Sequence, residues 1–99
     1  MFDKMKQLMD MQKKMQEMKR ELENAIFDVS SSDGLVKVTM TGAQEAKNIT
    51  IQGELSSIDK LTLEKSIKDA YNRAVKRSHE IAAEKMKNIT GGLNIPGLT

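Results

Sequence analysis

The chain has 99 residues, with 16 Lys and Arg against 14 Asp and Glu, a net charge of +2. That length supports one domain with a modest core. The absence of cysteine excludes a disulfide framework and thiolate chemistry. Three aromatic residues among 30% charged ones argue against a deep enzyme pocket and for a helical, partner-dependent protein.

The start, Met1-Phe-Asp-Lys-Met-Lys, carries charge every few residues and does not read as a secretory signal. No apolar run approaches membrane-spanning length. The expected compartment is therefore the cytoplasm, with no membrane partner. The two Asn-Ile-Thr triplets, at Asn48 and Asn88, match a glycosylation pattern and are read as chance.

Residues 3–24 hold no Gly and no Pro, and good helix formers fill the stretch. Leu8, Met11, Met15, Met18, Leu22 and Ala25 recur at alternating spacings of three and four, an a/d seam widened by Met1, Met5 and Met9. Six of the eight methionines lie in the first 18 residues. Thioethers suit soft metal ions, but the seam spacing favours a pliable apolar stripe that fills gaps between helices. Opposite the seam, Lys6, Lys13 and Arg20 recur every seven residues, flanked by Lys14 and Lys19. Asp10 and Glu17 lie three residues before Lys13 and Arg20 and are placed to neutralise them in part. This face serves either as a phosphate-facing stripe or as a solvated face laced with ion pairs, and the second is the plainer reading.

From 25 to 53 the period changes. Phe27 and Val29 alternate with Ile26, Asp28 and Ser30. Ser30-Ser-Ser-Asp-Gly34 is a turn, with Asp33-Gly34 as a two-residue hairpin signal. In Gly34-Leu-Val-Lys-Val-Thr-Met-Thr-Gly42, Val36, Val38 and Met40 alternate with Lys37, Thr39 and Thr41, the mark of a strand with one buried and one wet face. Gly42-Ala-Gln-Glu-Ala46 turns the chain again, and Ile49 and Ile51 share one face of a third strand. A three-stranded antiparallel meander follows, whose apolar face needs cover.

Asp59 is the favoured N-cap of a second helix over about 59–89. Leu63, Ile67, Ala70, Ala74 and Ile81 follow at helical spacing, broadened by Tyr71, Val75, Ala82 and Met86. Gly91-Gly92 stops it, leaving a loosely ordered tail over 90–99. The fold class is α+β, an α-β-β-β-α protomer within a single domain over 1–99. Roughly 29 helical residues span about 43 Å, whereas a six-residue strand spans about 20 Å. Both helices therefore overhang the sheet with their apolar stripes continuing, which predicts a homodimer.

Chemistry-bearing motifs are sparse. Gly91-Gly92-Leu-Asn-Ile-Pro-Gly97 follows a helix and lacks the lysine and hydroxyl of a phosphate-binding loop. One histidine, His79, with no cysteine builds no familiar zinc site. Its neighbour Glu80 does not share its helix face, so His79 reads as structural. No catalytic residue, metal site or cofactor is expected, nor a small-molecule substrate, and the chain is read as not an enzyme.

The second helix carries Lys65, Lys68, Arg73, Lys76, Arg77, Lys85 and Lys87. Glu64–Lys68 and Asp69–Arg73 are favourably oriented i,i+4 pairs. Lys76 and Arg77 have no acidic residue three or four positions before them, and with Arg73 form the best candidate phosphate patch. Lys37 adds a charge on the polar face of the central strand. No aromatic residue interleaves Arg73, Lys76 and Arg77, so base stacking on single strands is not indicated. Nothing resembles a helix-turn-helix or a zinc finger. Nucleic-acid binding should then be backbone-directed and weakly specific.

Several segments together resemble the YbaB/EbfC family of small bacterial nucleoid-associated proteins. They are Met9-Asp-Met-Gln-Lys-Lys-Met-Gln-Glu-Met18, Gly34 to Gly42, Ile49-Thr-Ile51 before Glu54-Leu55, Ala70-Tyr-Asn-Arg-Ala74, and Glu84-Lys-Met86 to Thr90-Gly-Gly-Leu-Asn-Ile-Pro-Gly97. The resemblance covers essentially the full length. It implies a tweezer-like homodimer whose helices project from a central sheet. It also implies double-stranded DNA as partner in the bacterial cytoplasm and nucleoid, and a role in nucleoid organisation or gene expression. It transfers no contact residue, so the candidate contacts rest on local charge: Lys13, Lys14 and Arg20 on the first helix, Arg73, Lys76 and Arg77 on the second. The rival expectation is a dimeric protein-interaction module whose Met-rich stripe receives a partner helix.

Overall fold

A computed structural model describes the backbone of residues 2–90 and the side chains of residues 3–87. The order is α1 (Phe2–Asn24), β1 (Ile26–Ser30), β2 (Val36–Thr41), β3 (Ala46–Ile51), a short 3-10 turn (Leu55–Ser57) and α2 (Lys60–Thr90). The fold is the expected α-β-β-β-α arrangement. The rest of the expected tail, 91–99, and the Gly91-Gly92 stop lie outside the described residues.

The sheet is an antiparallel meander in the order β1-β2-β3. Phe27 pairs with Met40, Val29 with Val38, Val38 with Ile49, and Val36 with Ile51, so these apolar side chains share one face. A register shift between Thr39 and Met40 places Met40 opposite Ala46, so β3 carries one extra residue at Lys47. The first connection is wider than a two-residue hairpin. It spans residues 31–35, with the Ser31 N–H donating to the Val36 carbonyl at 2.8 Å and the Gly34 N–H to the Ser31 carbonyl at 3.0 Å. Gly34 has φ +76°, a conformation glycine adopts freely. At the second turn the Thr41 hydroxyl accepts from the N–H groups of Ala43 and Glu45.

α2 starts where the sequence signals it. The Thr62 N–H donates to Asp59 Oδ2 at 3.3 Å and the Leu63 N–H to the Asp59 carbonyl at 2.9 Å. The helix lies over β2 and β1. Val36, Val38, Met40, Ala70 and Ala74 are fully buried, with Phe27, Val29, Leu35, Leu63, Ile67 and Val75 packed around them. Tyr71, expected to broaden the stripe, is instead 48% exposed. In its place Ser66 and Ser78 are buried, so Ser66, Ala70, Ala74 and Ser78 make a small-residue row every four positions. That row lets the helix backbone approach β2. The Ser78 hydroxyl donates to the Gly42 carbonyl at 2.9 Å and lies 3.2 Å from the Thr41 carbonyl, so the buried oxygen is not orphaned.

Cover stops at β2 and β1. Ile49 and Ile51 of β3 face the same side yet remain exposed. Among the described residues α1 joins the core through its last turns, where Met18 is buried and Leu22 half-buried, as is Ala25 just beyond the helix. Lys85 Nζ lies 3.4 Å from Glu21 Oε2 across the two helices. Further back along the seam, Met15, Met11, Met9, Leu8 and Met5 are exposed. The chain is 67 Å long and only 23 by 15 Å across, so the helices do extend beyond the sheet.

Candidate nucleic-acid interface

Arg73, Lys76 and Arg77 sit at i, i+3 and i+4 on α2, a spacing that puts them on one helix face. Because α2 lies against β1 as well as β2, that face borders the first strand. The three cations, with Phe27, Asp28, Val29 and Glu80, line an open groove of about 320 Å³. Phe27 and Val29 reach it because the alternation of β1 turns them towards the helix.

Two of the cations are already held. Arg73 Nε donates to Asp69 Oδ1 at 3.1 Å, the i,i+4 pair expected from sequence. Arg77 Nη1 donates to Glu80 Oε2 at 3.3 Å. The partner of Arg77 lies after it, so a search of only the preceding turn misses it. Lys76 forms no ion pair among the described residues. Both pairs are solvent-exposed, so each holds a side chain's direction more than it stabilises the fold. The expected Asp10–Lys13, Glu17–Arg20 and Glu64–Lys68 pairs are not formed.

Asp69 also fastens the groove to the sheet. It accepts the Ser32 N–H at 2.8 Å through its other oxygen. This bond, followed by the Arg73 guanidinium, lowers its pKa below the ordinary aspartate value. One turn earlier in the helix, Ser66 donates to Asp33 Oδ2. Asp33 Oδ1 accepts from the Ser31 hydroxyl at 2.6 Å and the Leu35 N–H at 3.1 Å. Its pKa is lowered first by the Ser31 hydroxyl, then by Ser66 and the Leu35 N–H. The two aspartates together latch the first turn of the sheet to α2, upstream of the cations.

The other candidates stand apart. Lys13, Lys14 and Arg20 are exposed on α1 and line no part of the groove. Lys37 pairs in register with Ser30 and Thr50, on the sheet face opposite Val36 and Val38, and so does not join the patch. His79 is exposed. No group of His, Asp and Glu among the described residues is arranged to hold a metal ion. Among those residues no helix is long and apolar enough to cross a membrane.

Phe27 is the lining residue with no local signal in sequence. It is 46 positions from Arg73 in a chain numbered continuously, and only the packing of α2 across β1 joins them. The basic residues are not without aromatic company: Tyr71 lies between Lys68 and Arg73 along the chain, and Phe27 joins Arg73, Lys76 and Arg77 in space.

The model of the YbaB/EbfC DNA-binding family matches residues 1–93. The chain belongs to the YbaB/EbfC DNA-binding family. Membership supports a nucleoid-associated, DNA-binding role. Among solved structures, the crystal structure of uncharacterized protein HP0035 from Helicobacter pylori is similar at 24% sequence identity. That match has a TM-score of 0.77 and covers 92% of this chain and 98% of that one. At that identity the likeness concerns the fold, and it shows that the YbaB/EbfC arrangement seen here has a crystallographic counterpart over nearly its whole length.

Proposed function

We propose that this chain is a cytoplasmic, nucleoid-associated protein that binds double-stranded DNA as a homodimer, through the phosphate backbone and with weak sequence preference. It would organise the nucleoid or modulate gene expression. The observation that carries this reading is the gathering of Arg73, Lys76 and Arg77 on one groove in a chain of a DNA-binding family. Lys and Arg displace counterions from the duplex, and contacts of this kind position a protein without reading bases. Lys13, Lys14 and Arg20 extend the same chemistry along α1. The pairing of two protomers follows from the apolar overhang: Met5, Met9, Met11 and Met15 are exposed at helical spacing and need cover.

Fluorescence anisotropy with a short labelled duplex, from low to physiological salt, tests the reading. Affinity should fall linearly in log–log form, with a slope of about 0.9 per phosphate neutralised. Changing Lys76 and Arg77 together to Ala should weaken binding about equally on unrelated sequences and flatten the slope. Unchanged affinity removes them from the interface.

The exposed thioether stripe also favours a second reading, a module that takes a partner helix along α1. Met15→Asp separates the two. If it abolishes the dimer in sedimentation experiments, the stripe is an inter-protomer core. A dimer that survives the change gives the stripe to an external partner.

A further inference from the structure

A purely phosphate-directed interface has no use for an apolar floor, yet this groove has one. Phe27 packs on the core with one side and lines the groove with the rest, beside Val29. The electrostatic half of the site is moderate. Arg73 and Arg77 are paired to Asp69 and Glu80, and Asp28 and Glu80 themselves line the groove. A ligand offering only phosphate meets cations already partly satisfied. A ligand offering a planar apolar ring next to its phosphate uses both halves of the lining. Unpaired nucleotides are built this way, whereas a duplex hides its base faces in the stack. The groove, at about 320 Å³, is sized for a single such unit.

We propose that this groove binds single-stranded nucleic acid, with one unpaired base stacked on Phe27 and its flanking phosphates against Lys76, Arg73 and Arg77. The inference rests on reading the groove as a nucleic-acid interface and adds a preference that a duplex binder lacks. Lys76, with no ion pair among the described residues, is the first cation available. Arg73 and Arg77 exchange a carboxylate for a phosphate oxygen as the strand seats. The same pairs disfavour free inorganic phosphate, which brings charge and no ring.

The test measures a labelled oligothymidylate and a labelled duplex side by side, with wild-type protein and Phe27→Leu, which keeps an apolar side chain in the core. Phe27→Leu should weaken oligothymidylate binding about tenfold, one stacked base's worth, and weaken duplex binding by clearly less. The chain has no tryptophan, so Phe27→Trp supplies a sole indole whose emission should be quenched more strongly by oligothymidylate than by duplex at saturation. Should Phe27→Leu lose helix content by circular dichroism, the indole measurement carries the test. Equal oligothymidylate affinity for folded Phe27→Leu and wild type, or an indole unaffected at saturating strand, overturns the inference while leaving duplex binding as a separate result. Strand binding that depends on Phe27 without any duplex binding sustains the inference and sinks the duplex reading. Wild-type protein that binds neither probe sinks both.

Discussion

Two parts of the molecule carry the same kind of apolar stripe and meet different fates. Where α2 crosses the sheet, Val36, Val38, Met40, Ala70 and Ala74 are removed from water completely. On the free length of α1, Met9 keeps 68% of its exposure and Met5 65%. Helical spacing marks which face is apolar in both places. What covers that face is decided by length: a 23-residue helix runs to about 35 Å, beyond strands of 6 residues or fewer. An apolar stripe is therefore a statement about a surface, and only the geometry of the whole fold says whether the same chain fills it.

The largest expected effect breaks this comparison at its buried end. Met40→Ala empties the centre of the core and should cost about 2–5 kcal/mol in urea unfolding. Met9→Ala should cost less than about 0.5 kcal/mol within a protomer, as surface changes do. Repeating both across protein concentrations sharpens the contrast. If a second copy covers α1, the cost of Met9→Ala grows with concentration, because association stabilises by mass action, while that of Met40→Ala changes little. Equal costs at the two sites at every concentration would dissolve the distinction.

The junction between the two regions is Gly42, and a smaller effect is expected there. A Cβ at this position would lie 3.0 Å from Leu22 Cδ2, 3.2 Å from Ile81 Cγ2 and 3.2 Å from the Leu22 carbonyl oxygen. The side chains are able to give way, but the carbonyl belongs to the backbone at the end of α1. Gly42→Ala should destabilise by about 1–3 kcal/mol, the usual range for overpacking. It should also loosen α1 from α2, which amide exchange in residues 18–24 would register. Exchange unchanged there would show that the added methyl is absorbed without loosening α1.

Most of the architecture was legible from residue order, for local reasons. The alternation of Val36, Val38 and Met40 and the cap at Asp59 depend on neighbours a few positions away. The row Ser66, Ala70, Ala74, Ser78 was harder. Serine in an apolar stripe reads as solvent-facing until the carbonyls of Thr41 and Gly42 and the carboxylate of Asp33 are brought beside it. Tyr71 shows the converse: its size fits an apolar stripe, but α2 turns the row Ser66, Ala70, Ala74 and Ser78 to the sheet and leaves the ring 48% exposed. In the candidate site, the grouping of Arg73, Lys76 and Arg77 follows from helical spacing. Their union with Phe27 depends on which strand α2 crosses, which no local pattern encodes.

The smallest expected effect is confined to the compact half and depends on pH. Asp33 and Asp69 both have lowered pKa values because their carboxylates accept hydrogen bonds only the folded chain supplies. The unfolded chain, with values near 3.8, therefore binds protons more readily. The stabilisation is fully present above that value and fades as the pH falls through it towards the lowered folded values. Thermal melts from about pH 5 down to about pH 3 should show Tm falling, and the fall should be shallower for a variant with both Asp33 and Asp69 changed to Asn. At neutral pH that variant should melt a few degrees lower, on the order of what one lost hydrogen-bonded contact costs a domain of this size. Identical acid slopes would mean the two carboxylates hold the turn on α2 too weakly to matter. A shallower slope would place the acid-sensitive contact at the Ser31–Ser32 turn, next to the helix that carries Arg73, and nowhere on the exposed length of α1.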